Sequence, residues 1–354
     1  MRRSSYPTSG YSLGSRRTRE SRRLLAPRRR HPLAKLLLVV AGFLVLGTSA
    51  LASTGTHRAG RALTAAVAAR PSSRARTAVP GTSPRAIPKT PAVKPHPFSG
   101  TWLAAHPITA APVINGQHAI VVDVEAGQIL YAVDPHARVA DASLTKMMTA
   151  MVALDLAAPD QTVTVPAAAT QVIPDHMGLS AGEQLTVREL LDGMLLDSGN
   201  DAAETLAQAL VPRDQFLDRM NRKAQAMHLR DSHFVNPSGL DEPNHYSSAY
   251  DLAMITDTLL LDYPDLRGIV GTRQVTLAAT STHKWFKPAS LNRLLSTYPG
   301  AIGVKPGYTD NAGYCLAAAA TRGGHTVIVV VLGSIQHFTD ATTLLDFGFR
   351  HLVS

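Results

Sequence analysis

The chain has 354 residues, of which 45% are hydrophobic and 17% charged, with one cysteine and a net charge of +9. That charge is uneven: residues 1–35 carry ten Arg, one Lys and one Glu, residues 53–100 carry eight Lys and Arg and no acid, and residues 101–354 carry 16 Lys and Arg against 25 Asp and Glu. The large C-terminal part is therefore acidic, which argues against a nucleic-acid partner, and the lone Cys315 excludes an internal disulfide framework.

Residues 1–35 read as a basic cytoplasmic leader. Residues 36–52 form an uncharged run of 17 behind Arg28, Arg29, Arg30 and Lys35. Positive flanks stay on the cytoplasmic side, so the remainder is expected to be exported. The run is nearly long enough to span a bilayer, and Ala50-Leu51-Ala52 also fits a signal-peptide cleavage site. A transmembrane anchor is preferred, because the leader is long for a signal peptide. Residues 53–104 are rich in Pro, Ala, Ser, Thr and Arg and lack hydrophobic periodicity, which predicts an extended, disordered tether.

One domain is expected over residues 105–354, long enough for a single large core. His118–Asp123 and Gln128–Val133 read as strands joined by a tight turn at Glu125-Ala126-Gly127. Residues 143–156 predict a helix that is apolar nearly all round, which belongs at the centre of a domain. Residues 160–265 read as mostly helical, with amphipathic runs around Val187–Leu196 and Phe216–Met227. Strands are predicted again at Gln274–Ala278, from Lys305, at Ala312–Ala320 and at Thr326–Leu332, and a helix from Asp340 to Leu352. This order predicts an α+β fold, an antiparallel sheet built from both chain ends with a helical insertion between them. Cys315 sits in an apolar run and reads as a small buried hydrophobe.

Three motifs carry the chemistry. Ser143-Leu144-Thr145-Lys146 is an S-x-x-K, Ser198-Gly199-Asn200 is an S-x-N, and Lys305-Pro306-Gly307 resembles K-T-G with Pro in place of the hydroxyl residue. The chain also holds decoys, Ser281-Thr282-His283-Lys284 and Ser290-Leu291-Asn292. The decoys crowd against Lys305, whereas the first trio is separated by 55 and 107 residues and can converge from different elements.

A serine hydroxyl needs a base to become a nucleophile. Lys146 lies one helical turn from Ser143, and burial together with a second cation, Lys305, would keep its amine uncharged. Ser198 can relay a proton to a leaving group. Asn200 offers an amide donor and acceptor to a peptide. Lys305 supplies a fixed positive charge, Gly307 clears space for a substrate backbone, and the N–H groups of Ser143 and Tyr308 can face a developing oxyanion. A strand of this kind can pair with an extended peptide.

The motifs and their surroundings resemble the serine D-alanyl-D-alanine carboxypeptidases, the low-molecular-weight penicillin-binding proteins. The similarity covers about residues 115–350. It includes Ala142–Ala150, Thr186–Ala203, Asn236-Pro237-Ser238-Gly239-Leu240, His245–Asp251 and Gly303–Thr309. It implies a serine β-lactamase/transpeptidase-like fold with a helical lobe. It also implies removal of terminal D-Ala from peptidoglycan stem peptides through an acyl-enzyme on Ser143, and covalent inhibition by β-lactams. It calls for no metal or cofactor.

Two departures bear on recognition of the substrate carboxylate. Pro306 lacks the usual hydroxyl, and Gly333-Ser334-Ile335-Gln336-His337 lacks an Arg found in many relatives; Thr309 or His337 are candidates to compensate. The alternatives are a D,D-endopeptidase cutting cross-links, a non-catalytic peptidoglycan or penicillin binder, and a β-lactamase. The last is disfavoured because no E-x-x-L-N run follows Ser198.

Overall fold

The computed structural model describes residues 96–353 apart from residue 173. The expected leader 1–35, the hydrophobic segment 36–52 and nearly all of the tether lie outside the described residues. Packing begins earlier than the expected boundary at 105. Phe98 is buried edge-on to Tyr250, and Ser99 exchanges backbone hydrogen bonds with Gly127 and Ile129. Two aromatic residues, Phe98 and Trp102, anchor a stretch whose average composition concealed them. Helix α1, Thr101–Ala105, follows directly. Among the described residues no helix is long and apolar enough to cross a membrane.

Strands β1 (His118–Asp123) and β2 (Gln128–Val133) form the predicted hairpin. A one-turn 3-10 segment, Ala142–Thr145, leads into α2, Lys146–Leu156. A small ribbon pairs β3 (Thr162–Thr164) with β4 (Gln184–Thr186). The helical lobe continues with α3 (Val187–Leu196), α4 (Asn200–Ala209), α5 (Arg213–Ala226), α6 (Ala249–Asp262) and α7 (Pro264–Val270). After a short α8 (Leu294–Thr297) come β5 (Ala301–Thr309), β6 (Gly313–Arg322), β7 (His325–Ser334) and α9 (His337–Arg350).

The main sheet has the order β2-β1-β7-β6-β5, and every pair is antiparallel. Both chain ends meet where β1 pairs with β7, so the α+β architecture is as expected. Strand periodicity divides the core. Ile120, Val122, Ala317, Ala319, Ile328 and Val330 face the helical lobe. Ala119, Val121, Leu316, Ala318, Val329 and Val331 face α9. Helix α2 is buried from Lys146 to Ala153, as its all-round apolar character predicts.

Two elements differ from expectation. Gln274–Ala278 is not a sheet strand: it makes only isolated bridges, Gln274 to Ala289 and Leu277 to Phe286. Leu277 is buried and Val275 packs beside it on the core, but the backbone of this stretch pairs only with the 286–289 loop and not with the sheet. Strand β5 begins at Ala301 rather than Lys305, because Gly303 interrupts the pattern of its first half. β5 is the edge strand, which is where a sheet tolerates Pro306.

Candidate active site

Ser143 sits on the 3-10 turn, one residue after Ala142, whose φ of +49° stops the helix from extending backwards. The structure thus places Ser143 just ahead of α2 instead of within it. The spacing still brings the two side chains together: Lys146 Nζ lies 2.7 Å from Ser143 Oγ. Lys146 is wholly buried and Ser143 nearly so. The amine also donates to the backbone carbonyl of Ser238 at 2.7 Å, which fixes its direction.

Ser198 occupies the corner between α3 and α4. Thr186 and Glu189 form a reciprocal cap that starts α3. The corner is held from below by Asp201, whose carboxylate accepts the N–H groups of Met177, Gly178 and Leu179 at 2.8–2.9 Å. Ser198 itself is left-handed, with φ +64°, which is costly for a residue with a side chain. In that conformation its Oγ donates to Ser143 Oγ at 2.9 Å. Asn200 is buried at the start of α4; its Nδ2 makes a long 3.4 Å contact to Pro174 O, and its Oδ1 has no hydrogen-bond partner. A buried acceptor left open suits a substrate N–H.

Lys305 is also wholly buried on β5 and donates to Pro306 O at 2.9 Å. Gly307 has a different neighbour from the one expected. A Cβ there would lie 2.8 Å from Ser143 N and 3.0 Å from Ala142 Cβ. Its missing side chain makes room for the nucleophile turn, while Tyr308 follows at the rim, half exposed. The Thr309 hydroxyl donates to Asp241 at 2.7 Å, and His337 stacks on Tyr314.

Electrostatics follow from burial. Desolvation, reinforced by the neighbouring Lys305 charge, pushes the Lys146 amine well below the ordinary lysine range, against the opposing pull of Asp175, Asp141 and Asp201. Burial lowers Lys305 to about 7, opposed by Asp175 and Asp197. An uncharged amine beside a hydroxyl can take its proton near neutral pH, and a second hydroxyl at 2.9 Å offers that proton a way out.

Sequence reasoning missed the groups that hold this centre. Asn236 Oδ1 accepts the N–H groups of Ser238 and Gly239 at 3.2 and 2.8 Å, forming the turn that aims Ser238 O at Lys146. Asn-Pro-Ser-Gly is a turn signal, but its target is remote in sequence. Behind Ser143, the Thr145 hydroxyl donates to Asp141 Oδ2 at 2.9 Å and lies 2.8 Å from His245 Nε2. Val235 N–H donates to His245 Nδ1, so Nε2 carries the ring proton and donates to Thr145. All three side chains are buried.

Neither decoy joins the site. The Lys284 amine bonds Ser180 on the surface, and Ser290 Oγ accepts the N–H of Asn292 in its own loop.

The chain matches the family described as Peptidase S11, D-alanyl-D-alanine carboxypeptidase, over residues 105–336. It is 36% identical over 244 residues to D-alanyl-D-alanine carboxypeptidase DacF of Bacillus subtilis, spanning 66% of this chain and 62% of that relative's length. It is 35% identical over 253 residues to D-alanyl-D-alanine carboxypeptidase DacB2 of Mycobacterium tuberculosis, spanning 69% of this chain and 86% of the relative. The crystal structure of the Streptomyces K15 DD-transpeptidase superposes with a TM-score of 0.65 at 33% identity, over 69% of this chain and all of that one. With the penicillin-binding fold, the three convergent motifs and these relatives in agreement, the chain belongs to the peptidase S11 family of D-alanyl-D-alanine carboxypeptidases.

Proposed function

We propose that the chain is a serine D,D-carboxypeptidase that releases terminal D-Ala from peptidoglycan stem peptides. The observation that carries this reading is the buried trio of Lys146 Nζ, Ser143 Oγ and Ser198 Oγ, joined by contacts of 2.7 and 2.9 Å. In the proposed reaction the neutral Lys146 amine takes the Ser143 proton, and Oγ bonds to the carbonyl carbon of the penultimate D-Ala. The N–H groups of Ser143 and Tyr308 receive the oxyanion. Collapse breaks the peptide bond, and the proton passes from Lys146 through Ser198 to the departing amine. Water then attacks the ester, with Lys146 again as base, freeing the shortened stem and Ser143. Asn200 and the β5 edge hold the peptide, and protonated Lys305 faces its terminal carboxylate. β-Lactams would acylate the same hydroxyl.

The same reading places the domain outside the cell, at the outer face of the membrane or in the wall, with residues 36–52 as an N-terminal anchor and residues beyond them as a tether. The charge asymmetry of residues 1–35 and the absence of charge in the next 17 support that topology.

A second reading, D,D-endopeptidase, is favoured by one observation. Pro306 offers no hydroxyl to a terminal carboxylate, and the Thr309 hydroxyl is engaged by Asp241. An internal bond needs no such contact. The discriminating experiment is digestion of cross-linked muropeptides and of a D-Ala-D-Ala-ending pentapeptide by the native chain and by Ser143→Ala. Free D-Ala from the pentapeptide supports the first reading, and loss of dimers alone supports the second. A native chain that gains no mass from penicillin sinks both.

A further inference from the structure

Tyr308 on β5 and Tyr314 on β6 are register partners, with ring centroids 4.7 Å apart. Tyr314 stacks on His337 at the start of α9, at 4.9 Å and an interplanar angle of 12°. His337 packs on Phe338 at 4.1 Å, and the Arg293 guanidinium lies over Phe338 at 5.6 Å. Four rings from three elements thus form one continuous shelf, closed by an arginine. Gly307 faces the nucleophile turn, so strand alternation puts Tyr308 on the opposite face of β5, towards α9.

Phe338 roots the shelf on the core, and its outer rings are not core. Tyr308 is 52% exposed, Tyr314 43% and the adjoining Ile335 74%. The rings hold one another in place, so a ligand resting on them orders little at its own expense. Large half-wet aromatics that start on the edge strand carrying Lys305 and Gly307 mark a contact surface. The chemistry of the occupant follows from the shelf. Its surface is made of ring faces, and burial and the nearby Arg293 hold the His337 imidazole below its ordinary range, against the pull of Asp340. It therefore fits a neutral, flat ligand with an apolar face and hydrogen-bonding edges, such as a hexosamine ring. Reach agrees as well. Four extended stem residues separate a scissile bond from the sugar that bears them, roughly 13–14 Å. Tyr308 directly follows Gly307, whose Cβ position would lie 2.8 Å from Ser143 N, so the near end of the shelf falls within that span.

We infer that the Tyr308–Tyr314–His337 shelf binds the N-acetylhexosamine rings of the glycan strand from which the stem peptide hangs. This rests on the peptidoglycan reading of the cleft and adds the sugar to its substrate.

The test uses the full chain and neutral β-1,4-linked oligomers of N-acetylglucosamine, because stripping the peptide from N-acetylmuramic acid would bare a lactyl carboxylate. Saturation transfer to the sugar protons should occur with the native chain, and titration should show binding weakened roughly threefold to tenfold by Tyr314→Ala or His337→Ala. In parallel, kcat/KM is compared for a muramyl pentapeptide and the bare pentapeptide. The preference for the sugar-bearing form should shrink in both variants. Absence of glycan binding by the native chain overturns the inference, as does equal loss on both substrates, which assigns the shelf to the peptide. Self-association through the shelf, removed by Tyr314→Ala without any sugar contact, overturns it too. A native chain that binds glycan but releases no D-Ala sinks the proposed activity and leaves the shelf standing.

Discussion

His245 donates its Nε2 proton to Thr145 Oγ1 at 2.8 Å, directly behind the turn that presents Ser143. Thr145 donates its own hydroxyl hydrogen to Asp141 Oδ2, so imidazole, hydroxyl and carboxylate form one buried chain. Replacing His245 by Ala should leave the Thr145 oxygen short of a donor and remove the imidazole nitrogen that lies 3.3 Å from Asp141 Oδ1. We expect a loss of about 1–3 kcal/mol of stability, read by urea denaturation, together with slower penicillin acylation. A variant as stable and as fast as the native chain would show the contact to be idle.

Ser198 holds a left-handed backbone in order to aim its hydroxyl. Ser198→Gly should relieve about 1 kcal/mol of conformational cost yet slow acylation by about 10²-fold or more, because the proton loses its relay. Ser198→Ala should be as slow but less stable than Ser198→Gly. Stopped-flow acylation and urea midpoints on the two variants separate aim from strain.

The two lysines set opposite limbs of the pH profile. Release of D-Ala should rise with pH as Lys146 loses its proton and fall through about 7 as Lys305 loses the charge that faces the carboxylate. Lys305→Met should abolish the alkaline limb and move the acid limb upwards, since Lys146 no longer has a cation beside it. Stability has a definite sign. Lys305 titrates near 7 when folded and at 10.5 when unfolded, so the unfolded chain holds the extra proton between those values. The cost to the folded state is complete below about 7 and fades as pH approaches 10.5. Lys305→Met should therefore unfold at higher urea than the native chain at pH 6, with the gain shrinking by pH 10.

Cys315 is buried at the inner face of β6, and burial pushes its thiol up to about 12. The folded chain should resist iodoacetamide at pH 8, and one thiol should become reactive on unfolding. Labelling in the native state would mean that β6 opens readily.

Much of this was legible in the sequence because the signals are local. The β1–β2 hairpin shows itself through alternation and a Gly-containing turn, α2 through its unbroken apolar run, and Ser143 with Lys146 through a fixed spacing of three. What escaped depends on partners far along the chain. The carbonyl of Ser238 has no side-chain signature, although it directs Lys146 from 92 residues away. Thr145 reads as filler inside S-x-x-K until His245 arrives beside it. Gly307 was legible as a needed gap, but its neighbour was not, because only the folded chain brings Ala142 and Ser143 against β5. The aromatic shelf likewise needs β5, β6 and α9 to be assembled before its rings meet.

Gly239 has φ +84°, and a Cβ on it would fall 1.8 Å from the carbonyl oxygen of Ala142. Two main chains are in contact there, one bearing the hydroxyl and the other steering the amine. Transplanting the three motifs onto another scaffold would leave this joint behind, and the amine would then swing free. The smallest transferable unit of this chemistry is consequently four segments, the fourth being a loop whose contribution is made by its backbone.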